Sequence, residues 1–148
     1  MTPVFREARR EDVPAIVALL ADDALGASRE GTADDRYLAA FDAIAAEGGN
    51  TIVVGEAGGR IVATYQITII SGLSLRAARR AQIESVRVAG DLRGQGIGAR
   101  MFSDAEARAR AAGATLLQLT MNAARTDAHR FYASLGFTPS HVGFKKAL

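Results

Sequence analysis

A glycine-rich turn between an apolar strand and a long helix limits this chain to folds in which a strand leads directly into a helix. The predicted strand is residues 83–88, and the turn reads Arg93-Gly94-Gln95-Gly96-Ile97-Gly98-Ala99. Glycine lets backbone N–H groups approach an anion closely, and the unpaired amides at a helix start favour negative charge. The turn predicts a site for a phosphate or pyrophosphate; the alternative is an ordinary strand-to-helix turn.

The spacing of the turn excludes two common nucleotide fingerprints. A P-loop needs Lys and then Ser or Thr after its last glycine, but Ala99 and Arg100 follow Gly98. A dinucleotide fingerprint needs an acidic residue about twenty positions further on, but residues 116–119 contain no acidic residue. The spacing Arg93-x-x-Gly96-x-Gly98 instead resembles the acyl-CoA loop of the GNAT acetyltransferase family. The resemblance implies that backbone amides of residues 93–99 bind the pyrophosphate of acetyl-CoA, with Arg93 beside its charge.

A second motif agrees with the first. The stretch Ala128-x-x-x-Tyr132-x-x-x-Gly136-Phe137 resembles the second signature of the same family, a short helix that carries a tyrosine. Its apolar residues recur at helical spacing, and Gly136 is placed as a C-terminal cap. The resemblance implies that Tyr132 protonates the departing CoA thiolate. The alternative is a half-buried aromatic residue with a packing role only.

The composition limits which classes of protein and which ligands are possible. The chain has 148 residues, of which 49% are hydrophobic, with no Cys, two His and a net charge of +2. We therefore expect a single cytoplasmic domain over residues 1–148 that binds no nucleic acid and no membrane. Without Cys there is no thiolate ligand or thiol nucleophile, and we expect no metal at His129 or His141.

Periodicity and turn chemistry predict ten elements. The strands are predicted at residues 4–8, 51–56, 60–70, 82–88, 115–120 and 143–147, and the helices at 12–20, 34–46, 96–112 and around Tyr132. This order predicts an α/β architecture, a mixed sheet with helices on its faces. The resemblance implies the acyl-CoA N-acyltransferase (GNAT) fold over nearly the whole chain.

Two features of the predicted strand 82–88 concern catalysis. By period two, Glu84 shares a face with Val86 and Val88, and partial burial there would raise the pKa of its carboxyl, which suits a general base. The alternative is a structural ion pair of Glu84 with Arg87 or Arg100. The family resemblance implies that backbone amides around Val86 and Val88 bind the thioester carbonyl where this strand separates from its neighbour.

One position departs from the family pattern. Many members carry an Asn, which contacts the pantetheine arm, three residues before the alanine of the second motif, and Arg125 stands there. Asn122 takes over this contact or serves only as a turn residue.

The acceptor is the least determined part. The resemblance implies an N-acetyltransferase that acts on the primary amine of a small metabolite by direct attack; the alternatives are a protein or peptide acetyltransferase and a non-catalytic acyl-CoA sensor. The C-terminal half is similar to aminoalkylphosphonate N-acetyltransferases. Arg76, Arg79 and Arg80 would suit an amine that also bears an anionic group, or they form a solvated cluster. A homodimer through sheet edges is frequent in the family.

Overall fold

The framework of the protein is one five-stranded mixed sheet. The computed structural model describes residues 2–31 and 34–148. Neighbouring strands follow chain order, the first four antiparallel and the last two parallel. The strands are β1 (Val4–Glu7), β2 (Asn50–Ala57), β3 (Arg60–Ile70), β4 (Arg80–Val88) and β5 (Leu116–Leu119). The predicted mixed sheet is confirmed.

Six α-helices surround this sheet in the described residues. They are α1 (Val13–Leu20), α2 (Ala24–Arg29), α3 (Asp35–Ala46), the single turn α4 (Ser74–Ala77), α5 (Ile97–Ala111) and α6 (Thr126–Ser134). The backbone of α4 is left-handed from Leu75 to Ala77. The sequence pattern did not predict α2 because six residues are too few to show a helical period. Instead, α2 begins at its N-cap Asp23, whose carboxylate accepts a hydrogen bond from the Gly26 amide.

Helices cover both faces of the sheet. One face of α5, which carries Met101, Phe102 and Ala105, packs on buried residues of β3 and β4 such as Tyr65 and Ile83. This is the buried side that the sequence predicts for the long helix. On the other face, Leu19 of α1 packs on Val62 of β3. Because Val62 and Tyr65 are three residues apart in one strand, their side chains point to opposite faces.

The predicted strand at residues 143–147 is wrong. This segment has no strand structure, and the sheet ends at β5. The apolar alternation of Val142 and Phe144 suggested a strand, but their side chains are 81% and 92% exposed. Alternation stabilises a strand only where one face is buried and a neighbouring strand pairs with it. The described residues provide neither for this segment.

A buried carboxylate ties β1 and β2 to the start of α1. The guanidinium of Arg6 donates two hydrogen bonds to Asp12, at 2.8 and 3.1 Å, and one to Glu56 at 2.9 Å. The Asp12 carboxylate also accepts from the backbone N–H of Arg9 at 2.7 Å. The hydrogen bonds from Arg6 lower the pKa of Asp12, burial opposes them, and the net shift is downward. Asp12 is therefore ionised at neutral pH.

Replacing Asp12 by Asn tests this network. The side chain keeps its size but loses the charge that Arg6 requires, so we expect Asp12→Asn to lower the free energy of unfolding by about 2 kcal/mol at pH 7. Since folding depresses the Asp12 pKa, its contribution is complete above the unfolded-state pKa of about 4. It disappears as the pH falls through the folded-state pKa. Urea unfolding at pH 7 and pH 3 measures both values.

The matched control is Asp42→Asn, because Asp42 pairs with Arg10 at 3.1 Å on the exposed surface. We expect it to change stability by less than about 0.5 kcal/mol at either pH. An Asp12→Asn effect of equal size at pH 7 and pH 3 would show that the carboxylate charge is not responsible.

Candidate functional site

The glycine-rich turn leaves bare backbone in front of α5. Gly94 and Gly96 have φ of +79° and +81°, a conformation that favours glycine. A Cβ built on either residue meets no atom within 4 Å. Gly96 is the N-cap of α5, and no side chain caps this helix. The first amides of a 15-residue helix are therefore open to an anion, which fits the predicted phosphate site.

The remaining predicted loop residues have different surroundings. Arg93, Gln95 and Ala99 are exposed, and Arg93 donates to the carbonyl oxygen of Asp22 at 3.4 Å. Ile97 is buried in the core. These positions keep three side chains at the rim of the turn while Ile97 anchors the start of the helix.

Gly98 also has a packing role, which its place in the glycine-rich turn did not predict. A Cβ at this position would lie 3.0 Å from the ring of Phe131 on α6. Real Cβ atoms rarely approach a neighbour so closely. Gly98 therefore lets α6 approach the start of α5, next to the turn.

The last part of β4 has a free edge. Parallel pairing with β5 ends at Ile83 and Leu119, but β4 continues to Val88. The backbone N–H of Ala89 donates a hydrogen bond to the carbonyl oxygen of Val62, which lies on β3. Because N–H groups alternate in direction along a strand, those of Val88 and Val86 point to the opposite edge. These are the two residues at which the family resemblance implied carbonyl-binding amides.

A bulge in β4 changes the predicted position of Glu84. Glu84 lies opposite Gln66 of β3, and Arg87 lies opposite Thr64, so two residues of β4 face one residue of β3. Ser85 has a φ of +55° at this point. Glu84 therefore shares its face with Arg87, and the predicted common face with Val86 and Val88 is wrong.

The burial expected for Glu84 is also not found. Its side chain is exposed, and its carboxylate accepts a hydrogen bond of 2.8 Å from Gln82. Neither of the predicted ion-pair partners holds it, since Arg87 lies against Asp23 instead. The partial burial predicted for Glu84 is therefore wrong.

Tyr132 belongs to an aromatic cluster on α6. Its ring centroid lies 5.5 Å from that of Phe102 and 6.0 Å from that of Phe137. The residue is half-buried. Burial raises the pKa of the Tyr132 phenol, and the positive charges of Arg125 and Arg87 offset only part of the rise. The phenol is therefore protonated at neutral pH, as a proton donor must be.

Three charged residues beside Tyr132 form a cluster that the sequence analysis did not find. The carboxylate of Asp23 accepts a 2.8 Å hydrogen bond from Arg125 and lies 3.6 Å from the Nε of Arg87. Burial would raise the pKa of Asp23, but the Gly26 amide and the two arginines outweigh it and lower the pKa. No sequence signal could have paired Asp23 with Arg125, which is 102 positions away.

Asn122 acts as a turn residue. Its side-chain oxygen accepts a hydrogen bond from the Ala124 amide at 2.9 Å, and its carbonyl oxygen accepts one from Arg125. These are the bonds of a turn that leads into α6. The structure thus gives Asn122 the turn role that the sequence left open.

The predicted arginine rim lies at the far end of β4. Arg80 opens this strand and Val88 ends it, which separates them by about 26 Å at 3.3 Å per residue. Arg76 is exposed in the left-handed turn α4, and Arg79 donates to the carbonyl oxygen of Ala112 at 2.8 Å. These three arginines therefore lie away from the glycine-rich turn.

Among the described residues, no group of three or more His, Cys, Asp or Glu side chains is arranged to hold a metal ion. Residues 2–31 and 34–148 also contain no helix long and apolar enough to cross a membrane.

Comparison with known sequences identifies relatives. Residues 13–137 match the model of the acetyltransferase (GNAT) family. The aminoalkylphosphonate N-acetyltransferase of Salmonella typhimurium (strain LT2) is 46% identical over 67 residues, which are 45% of this chain and 44% of that protein. The chain thus spans less than half the length of this curated relative.

Comparison with solved structures gives matches over nearly the full length. A transcriptional regulator from Bacillus halodurans C-125 is 39% identical with a TM-score of 0.95, and 99% of each chain is covered. A predicted acetyltransferase from Clostridium acetobutylicum, in a structure with acetyl-CoA, is 18% identical with a TM-score of 0.72, and 97% of this chain and 96% of that chain are covered. The second likeness shows the fold alone.

The contact of Gly98 with Phe131 predicts a stability defect. We expect Gly98→Val to lower the free energy of unfolding by about 2 kcal/mol, because the new side chain must displace the Phe131 ring. Urea unfolding followed by far-ultraviolet circular dichroism measures the change. The control is Ala99→Val, at an exposed position of the same helical turn, where we expect less than about 1 kcal/mol. Equal effects of the two variants would contradict the packing role of Gly98.

Proposed function

The chain belongs to the acetyltransferase (GNAT) family, and we propose that it transfers the acetyl group of acetyl-CoA to the primary amine of a small metabolite by direct attack. The observation that carries the proposal is the free edge of β4, which leads into the glycine-rich turn and carries Arg87, a residue whose charge acts on the Tyr132 phenol. An extended ligand with a phosphate at one end and a reactive group at the other matches this arrangement. The acetyl-CoA in the Clostridium acetobutylicum structure supports the choice of ligand.

The residues of the turn fit the pyrophosphate of acetyl-CoA. Gly94 and Gly96 leave open space at the start of α5, and the helix amides there favour negative charge. In this proposal the backbone of residues 93–99 binds the pyrophosphate, and Arg93 contributes charge at the rim. The amides of Val86 and Val88 bind the thioester oxygen. Asn122 forms the turn that leads into α6, and in this proposal the turn places it near the pantetheine arm.

Acetyl transfer requires two proton movements. When bound, acetyl-CoA supplies a thioester whose carbonyl carbon accepts the amine nitrogen while the carbon–sulfur bond breaks. The nitrogen loses one proton, and the sulfur gains one. We assign the donor to Tyr132, because its half-buried hydroxyl is protonated at neutral pH and lies where the charges of Arg87 and Arg125 act on it. We assign the acceptance of the amine proton to Glu84, through a water molecule, because its exposed carboxylate shares a face of β4 with Arg87.

The name of the curated relative supports an acceptor with an acidic group. That protein is an aminoalkylphosphonate N-acetyltransferase, and the matched segment is 46% identical. A second candidate function follows from the relative named as a transcriptional regulator, which is 39% identical over 99% of both chains. In that case the domain would bind acetyl-CoA as a sensor without turnover. The sensor and a protein or peptide acetyltransferase are both alternatives to the metabolite enzyme.

A CoA-release assay tests the proposed function. The purified protein is incubated with acetyl-CoA and with aminoalkylphosphonates, amino acids, polyamines, amino sugars or short peptides. We expect turnover with at least one small acidic amine. Calorimetric binding of acetyl-CoA without release of CoA from any acceptor would favour the sensor, and release with peptides alone would favour a peptide acetyltransferase.

The role of Tyr132 predicts a selective loss of turnover. We expect Tyr132→Phe to lower kcat by about a hundredfold, because the sulfur no longer receives a proton from a positioned donor. The dissociation constant of acetyl-CoA, measured by calorimetry, should change little. Tyr37→Phe is the control, since the Tyr37 hydroxyl contacts Glu30 at 3.0 Å and belongs to α3. Full turnover in Tyr132→Phe would remove Tyr132 from the mechanism.

A further inference from the structure

The side chains of Arg87 and Arg125 converge on the carboxylate of Asp23. Arg87 lies on β4 after the bulge, and Arg125 is the N-cap of α6. Their side chains are 10% and 29% exposed, and that of Asp23 is 18% exposed. Two guanidinium groups and one carboxylate leave the cluster with one positive charge. Arg29 of α2 adds a further positive charge that acts on Arg87.

The cluster has too few hydrogen-bond acceptors for its donors, in addition to its net positive charge. Among the described residues, the Nε of Arg87 and the Nη2 of Arg125 are buried and have no hydrogen-bond partner. Arg87 uses another nitrogen to donate to the carbonyl oxygen of Val86 at 2.9 Å. A buried donor without a partner is costly, and more so when it carries charge. An anion beside the partly exposed Arg125 side chain would supply the missing acceptor and negative charge.

The location of the cluster is adjacent to the reacting groups of the proposed transfer. Arg125 precedes Tyr132 by seven residues, a spacing that places both on the same side of α6. Arg87 follows Val86, whose amide is assigned to the thioester oxygen. The pyrophosphate is assigned to the turn at residues 93–99. Because Arg87 and Arg125 both act on the Tyr132 phenol, where the acceptor must meet the thioester, an anion at the cluster is assigned to the second substrate.

We propose that Arg87 and Arg125, held by Asp23, bind the acidic group of the acceptor and thereby select short amines that carry a phosphonate, phosphate or carboxylate. This inference rests on the proposed function and assigns the specificity to residues other than Arg76, Arg79 and Arg80. Guanidinium groups present paired N–H donors that match the oxygens of such anions. Asp23 is a positioning residue, since it holds both arginines by their side chains.

Paired acceptors test the proposal by steady-state kinetics. The acidic amines are 2-aminoethylphosphonate, O-phosphoethanolamine and β-alanine, which separate the three kinds of anion, and propylamine is the amine without an acidic group. We expect Arg125→Gln and Arg87→Gln each to lower kcat/KM for the preferred acidic amine by about tenfold to a hundredfold, mainly through KM. The value for propylamine should fall much less, because a change in the charge around Tyr132 acts on both amines whereas the lost anion contact acts on the acidic amine alone.

Two further variants sharpen the comparison. Arg125→Lys keeps the charge but not the paired donors, so we expect it to recover part of the loss. Arg76→Gln removes an exposed arginine outside the cluster and should leave both amines unaffected. Equal losses for acidic and plain amines in Arg125→Gln, or a selective loss in Arg76→Gln, would overturn the proposal. If Arg87→Gln does not fold, the comparison of acidic and plain amines in Arg125→Gln, at the start of α6, still tests the proposal.

A binding measurement separates this inference from the proposed function. Calorimetry with 2-aminoethylphosphonate, O-phosphoethanolamine and β-alanine and the CoA-saturated protein needs no turnover. We expect at least one of them to bind to the wild type and to bind about tenfold or more weakly to Arg125→Gln. If no amine is acetylated but this difference persists, the transfer activity is wrong and the anion site stands. If none binds the wild type, or Arg125→Gln binds them equally well, the anion site is wrong whatever the assay of turnover gives.

Discussion

The early end of the pairing between β4 and β5 determines where the site can form. A parallel pair would normally satisfy the backbone groups along both strands, but β5 stops at Leu119 while β4 continues to Val88. The continuation is held on its other side by β3, so it remains a strand without a second neighbour. The edge is partly satisfied by Arg87, which donates to the carbonyl oxygen of Val86. Every other part of the candidate site lies around this edge.

Ion pairs centred on Asp23 hold together the part of the candidate site beside Tyr132. Asp23 has two tasks, because its carboxylate accepts a hydrogen bond from the Gly26 amide at the start of α2 and holds two arginines. The same oxygen, Oδ2, faces both guanidinium groups. Breaking a partly buried pair of this kind is costly because it leaves an uncompensated charge. The short helix α2 is thereby tied to β4 and α6, although six residues alone would form only a marginal helix.

Local signals in the sequence predicted much of the fold and part of the site. The glycine-rich turn, the buried face of α5 and the helix that carries Tyr132 depend on neighbouring residues, so periodicity and caps reveal them. The bulge at Ser85 does not, because serine carries no strong preference for a positive φ. The pairing of Asp23 with Arg125 spans 102 positions and leaves no local pattern. The apolar alternation near Phe144 suggested a strand because a sequence does not reveal whether a neighbour is there to pair with it.

The close approach of Gly98 to Phe131 has a geometrical consequence. Phe131 and Tyr132 are adjacent on α6, whereas Gly98 follows the turn that fits a phosphate. This contact between the two helices therefore fixes the distance from the turn, which is the proposed phosphate site, to the phenol. This fixed distance would select extended ligands by their length. A ligand whose arm is too short or too long could not reach the turn and the phenol at the same time.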